Sequence, residues 1–117
     1  MKPFRDFAAV LFIATVVTTP SLAAQVMSEK QARVAAAKIL KGDPYGNSFD
    51  QVMKNVEEAQ LITGGSICGA RVTKPLWQFR IVVVKERNPA GDSAIRGPLV
   101  IDGRTGELVC AGLPFLD

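Results

Sequence analysis

Apolar residues along the chain change period twice, and the two changes divide it into a leader, a helical part and a strand-rich part. Ala32, Ala35, Ala36, Ile39 and Leu40 recur at three- and four-residue intervals, the spacing of one helical face. Ser28-Glu29-Lys30-Gln31 precedes them in the form S-x-x-Q. There the serine hydroxyl accepts from an orphan N–H of the first turn, and the glutamine reaches back. Gly42 and Pro44 stop the helix. After the turn residues Asp43 to Asn47, Ser48-Phe49-Asp50-Gln51 repeats the start signal, and Phe49, Val52, Met53 and Val56 mark a second, short helical face. Glu57 to Thr63 reads either as its last turns or as an extended approach to a sheet; propensity does not choose. Gly64-Gly65 is a clear break.

Beyond that break the period is two. Ile67 to Val72 reads as a short strand and Leu76 to Lys85 as a long one, rich in β-branched and aromatic residues. In the second, Trp77, Phe79, Ile81 and Val83 share one face. Gln78, Arg80, Val82 and Val84 share the other, which is expected to be partly exposed. Glu86 to Ala94 is a polar loop whose tip is expected to be mobile. Ile95 to Ile101 and Glu107 to Ala111 are the last strands, joined by the turn Asp102-Gly103-Arg104-Thr105-Gly106. If Asp102 faces Glu107, then Ile101 faces Leu108 and Leu99 faces Cys110, a coherent apolar face. Pro98 lacks an N–H, which places its strand at an edge or beside a bulge. Helices followed by strands predict an α+β domain: one or two N-terminal helices packed on an antiparallel sheet of three to four strands.

The leader is of another kind. Lys2 and Arg5 precede an uncharged run from Phe7 to Val17, and Pro20 and Ser21-Leu22-Ala23 follow. This is the pattern of a secretory signal peptide over residues 1–23, cleaved after Ala23 or, alternatively, after Ala24. The run is short of the ~20 residues that cross a bilayer. Residues 24–117 then form a single domain, expected in the periplasm or the medium, with no stable membrane insertion. The whole chain has fourteen Lys and Arg against eleven Asp and Glu. Losing Lys2, Arg5 and Asp6 with the leader leaves a net charge of +2. The charges are interspersed, which argues against a nucleic-acid partner.

Cys68 and Cys110 both remain after cleavage. In an oxidising compartment two cysteines in a small domain favour a disulfide. It would close a loop of ~40 residues and stabilise by up to about 4 kcal/mol in the chain-entropy model. A reactive thiol is the other reading, but there is no C-x-x-C and no histidine. A bridge requires Cα atoms within ~7 Å, and the ends of a simple four-strand meander are too far apart. Either the Cys68 segment lies beside the last strand, or it is a loop crossing the sheet.

The absence of histidine removes His-based acid–base catalysis, Ser-His-Asp and Cys-His arrangements, and His metal sites. Asp102 and Glu107 flank a turn, and turn chemistry explains both. Residues 102–107 lack the alternating oxygen ligands of a calcium loop. Trp77 and Phe79 read as core before they read as an aromatic platform. No catalytic residue, metal ligand or cofactor is assigned.

Leu76 to Val84, a loop, then Leu99 to Val109 containing Asp102-Gly103-Arg104-Thr105-Gly106-Glu107, resembles the PepSY domain. In that family a strand with an aromatic start, a loop and an apolar strand run into D-x-x-T-G-E, and the Gln31 to Leu40 helix fits its preceding helix. The Gly64 to Gly69 segment with its cysteine, and the closely spaced second helix, depart from the pattern. PepSY domains occur in exported proteins and peptidase propeptides, where binding or inhibition of peptidases has been proposed. The resemblance implies a binding or regulatory module with a protein or peptide partner, such as a peptidase, and carries over no catalytic residues. A small-ligand binder using a cleft between helices and sheet is the alternative expectation.

Overall fold

The computed structural model describes residues 25–88, 93–114 and 116. The leader expected over residues 1–23 and the tip of the 86–94 loop lie outside the described residues. The architecture is α+β: two helices pack on one face of a four-stranded antiparallel sheet.

Helix α1 spans Glu29–Leu40 and opens on a complete capping box. Gln31 N donates to Ser28 Oγ at 3.1 Å, and Ser28 N donates to Gln31 Oε1 at 2.8 Å. Such caps contribute about 1 kcal/mol. Ala32, Ala36, Ala37 and Leu40 are buried, with Ala35 and Ile39 half-buried beside them. The buried stripe is thus turned toward Ala37. Gly42, at φ +121°, leads the chain out of the helix, and a tight turn closes between Gly42 and Gly46, joined by reciprocal backbone hydrogen bonds.

Helix α2, Phe49–Asn55, is capped by Ser48 Oγ, which accepts from Gln51 N. Its capping box is incomplete, because Gln51 Oε1 accepts from Asn47 N instead. The face expected from Phe49, Val52, Met53 and Val56 forms only in part. Val52 is buried, Phe49 at the first helical position is exposed, and Val56 has already left the helix. Strand β1 is Val56–Ile62, so the undecided segment is extended.

The remaining strands are β2 (Ser66–Ile67), β3 (Ala70–Arg71), β4 (Leu76–Val83), β5 (Ile95–Asp102) and β6 (Leu108–Ala111). The main sheet has the order β1-β4-β5-β6, and β2 and β3 form a separate two-stranded hairpin. Phe79, Ile81 and Val83 of β4 and Leu99 and Ile101 of β5 are fully buried beneath the helices. On the opposite face Leu76, Val82 and Val100 are also buried, although Arg80 between them on β4 is exposed. Burial on both faces is why Ile81-Val82-Val83 and Leu99-Val100-Ile101 read as unbroken apolar runs. The face of Gln78, Arg80, Val82 and Val84 is mixed and partly exposed as expected, with Val82 itself buried.

Three further expectations change. Ile67 to Val72 is a tight hairpin, since Cys68 and Gly69 take φ of +54° and +80° and reverse the chain. The last hairpin keeps Ile101 opposite Leu108, but Cys110 faces Val100. Val109 is an extra residue there, and this bulge turns Cys110 to the face away from the helices. Finally, β5 is an interior strand, so the edge setting expected for Pro98 is excluded. The bulge setting remains, the β5–β6 register shifting two residues away at Val100. Pro98 O accepts from Gly112 N at 3.0 Å, so its missing N–H falls one residue past the end of β6, where no ladder partner is lost.

Candidate functional site

The sheet ends in two edge strands of different character. Strand β1 carries Glu57 and Glu58 and an irregular register between Val56 and Ala59. Its first carbonyl, Val56 O, accepts from Arg33 Nη1 at 2.8 Å, and Glu58 pairs loosely with Arg80 at 3.6 Å. Charges, bulges and occupied backbone groups are what blunt an edge against pairing. Strand β6 has no charged residue, and Leu108 and Val109 are 37% and 43% exposed. Its inner side pairs with β5 from Leu99 to Ile101. Its outer side has no strand neighbour among the described residues.

Strand β6 is also covalently held. Cys68 and Cys110 form a disulfide with Cα atoms 6.6 Å apart. Residues 63–75 link the neighbouring strands β1 and β4, and they carry Cys68 to the opposite edge of the sheet. Of the two topologies open from sequence, this is the crossing loop.

Asp102 and Glu107 lie opposite each other across the turn, Asp102 N donating to Glu107 O at 2.9 Å, and the Asp102 carboxylate is engaged by its own turn. Asp102 Oδ1 accepts from Arg104 N at 2.8 Å and Thr105 N at 3.2 Å, while Oδ2 lies 2.8 Å from Lys74 Nζ. The Lys74 ammonium holds the Asp102 carboxyl below the usual carboxylate range, aided by the two backbone N–H groups and partly opposed by burial. Glu107 is exposed. Phe79 is fully buried and offers no ligand platform. Trp77 is half-buried, stacks on Phe79 at 6.3 Å between ring centroids, and donates its indole N–H to Met27 O at 3.0 Å.

Sequence reasoning missed a polar cleft of about 460 Å³ between the 43–47 turn, α2 and the 3₁₀ turn Lys85–Arg87. Asn55 anchors it and is 3% exposed. Its Nδ2 donates to Tyr45 O at 2.8 Å, and its Oδ1 accepts from Arg87 Nη2 at 2.9 Å. Tyr45 is buried and donates its hydroxyl to Pro114 O at 2.6 Å. Burial raises the Tyr45 pKa. Lys54 and Arg87 line the cleft together with Asp43 and Glu86, so both signs of charge are represented. The residues that build it are scattered through the sequence; only a buried asparagine at the end of a helix would have hinted at it.

Among the described residues no group of three or more Cys, Asp or Glu side chains is placed to hold a metal ion, and no helix is long and apolar enough to cross a membrane. Comparison with protein-family models, curated proteins and solved structures finds no match.

Proposed function

We propose that residues 24–117 are an exported binding module that acts without turnover, by accepting an extended segment of a protein partner along β6. The partner class is an envelope peptidase or another envelope protein that the domain restrains. One observation carries this reading: β6 is an uncharged edge strand with Leu108 and Val109 exposed. An added strand satisfies backbone N–H and C=O groups along such an edge, and alternate side chains supply selectivity. The disulfide supports the reading, because a tethered edge loses less freedom on binding. It also suits an oxidising compartment. The peptidase as partner comes from the resemblance of the 76–84 and 99–109 segments to PepSY domains.

The test is to mix the purified mature chain with envelope peptidases of the same source, measuring complex formation and residual peptidase activity. A stable complex with reduced activity supports the proposal. Steady multiple turnover of a substrate by the domain alone, abolished by Asp102→Asn without loss of folding, contradicts it. The second reading, a small-ligand binder, is favoured by the cleft around Asn55 and Arg87. It predicts ligand binding that an Arg87→Ala change weakens and that substitutions in β6 leave intact.

A further inference from the structure

The segment 63–75 is attached to the molecule in an unusual way. None of its residues is buried; only Ile67, Val72 and Pro75 are even half-buried. Its hairpin strands β2 and β3 pair with each other and with no strand of the main sheet. A Cβ built on Gly64, Gly65 or Gly69 would meet nothing within 4 Å, and an open space of about 420 Å³ lies against Gly64, Gly65 and Arg71. A segment with so few buried apolar contacts has little local stability of its own.

Two attachments hold it. At its base, Lys74 pairs with Asp102, and Gly103 N donates to Pro75 O at 2.9 Å. At its tip the tie is the disulfide, from Cys68 to Cys110. Cys68 occupies the first central position of the β2–β3 turn at φ +54°. Such a turn favours glycine, asparagine or aspartate there. Cysteine is a poor choice for the turn, and its sulfur supplies the reason for its presence. Cys68 is also the exposed half of the bridge, whereas Cys110 is half-buried.

We propose that the Cys68–Cys110 disulfide is a redox latch that holds the 63–75 segment across the sheet and releases it on reduction while the four-stranded sheet stays folded. The reductant is a dithiol, either a small molecule or a dithiol oxidoreductase. Its thiolate attacks Cys68 Sγ, the more exposed sulfur, forming a mixed disulfide and expelling Cys110 as a thiolate, which takes up a proton. The second thiol of the reductant then closes on the first and frees Cys68 as a thiol. The protein gains two electrons and two protons, and the dithiol becomes a disulfide. Release frees the tip of the segment from Cys110, the cross-strand neighbour of Val100. The base contacts at Lys74 and Pro75 act as the hinge.

The experiment uses the full mature chain with dithiothreitol as the dithiol. Trypsin cleavage after Arg71, an exposed residue of β3, is followed with and without reduction, alongside far-UV circular dichroism and hydrogen exchange of β4 and β5. Reduction should speed cleavage after Arg71 by tenfold or more, with the circular dichroism and the slow exchange of β4 and β5 retained. A Cys68→Ser, Cys110→Ser double variant should match the reduced protein without any reductant. Equal cleavage in both states would show that the bridge does not hold the segment. Loss of the sheet on reduction, or failure of the double variant to fold, would show a structural staple and not a latch. Either result overturns the proposal.

Discussion

Asp102 Oδ2 sits 2.8 Å from Lys74 Nζ, joining the last β-turn to the base of the crossing segment. The same carboxylate accepts from two backbone N–H groups of its own turn. Its pKa is lowered in the folded protein, first by Lys74. The stabilisation is therefore fully present above the unfolded carboxyl value of about 3.9 and is lost as the pH falls through the lower folded value. Thermal melts from pH 7 downward should show stability falling below about pH 4. Asp102→Asn should cost about 1–3 kcal/mol at pH 7, the range for losing hydrogen bonds to a charged, buried group. Its melts should fall less steeply with acid than those of the parent.

The aromatic pair divides its work. Phe79 is completely buried, so Phe79→Ala should cost about 3–5 kcal/mol in denaturant melts. Trp77 is half-buried and fixes the start of the domain through Met27 O. Trp77→Phe removes the indole N–H together with the five-membered ring that carries it, so the lost hydrogen bond and part of the packing should together cost about 1–3 kcal/mol. Equal costs for the two would place Trp77 deeper in the core than its exposure indicates.

Two glycines are required for different reasons. Gly106 has φ +79°, and a Cβ there would lie 3.1 Å from Ala35 Cβ. Gly106→Val should cost at least the ~1–2 kcal/mol of a left-handed residue. Gly97 has ordinary backbone angles, but its Cβ would collide with Gly112 O. Gly97→Ala should cost about 1–3 kcal/mol through overpacking. Gly64→Ala enters open space, so a change within about 0.5 kcal/mol is expected.

Export is testable without any structure. Protein recovered from the envelope or the medium should begin at Ala24, or at Gln25 if cleavage follows Ala24. Full-length chain in the cytosol would contradict the leader assigned to residues 1–23.

Local rules were legible where local chemistry decides the structure. Ser28 and Gln31 signalled α1, and the β-branched run after Leu76 signalled β4. The Cys68–Cys110 pair was legible from there being just two cysteines in the sequence, read with the leader pattern that predicts export. Strand β1 was not, because Glu57-Glu58-Ala59-Gln60 has neither strand propensity nor period, and pairing with β4 makes it extended. The Val109 bulge was equally hidden, since either register gives Ile101 and Leu99 an apolar setting. It took the position of Cys68 to show which way Cys110 must face. The Asn55 cleft depends on residues ten and thirty-two positions apart in sequence, a separation no periodicity reports.

The claim that β6 is the docking edge is tested most directly by comparing peptidase binding of the parent and a Leu108→Lys, Val109→Lys variant. Both positions are exposed, so the variant should melt within about 0.5 kcal/mol per substitution of the parent. Calorimetric titration against the envelope peptidase that the parent binds should show at least tenfold weaker binding by the variant. A matching pair of lysines on the blunted edge, Glu57→Lys with Glu58→Lys, should leave binding within about threefold of the parent. Undiminished binding by the β6 variant, with loss confined to the β1 variant, would contradict the account.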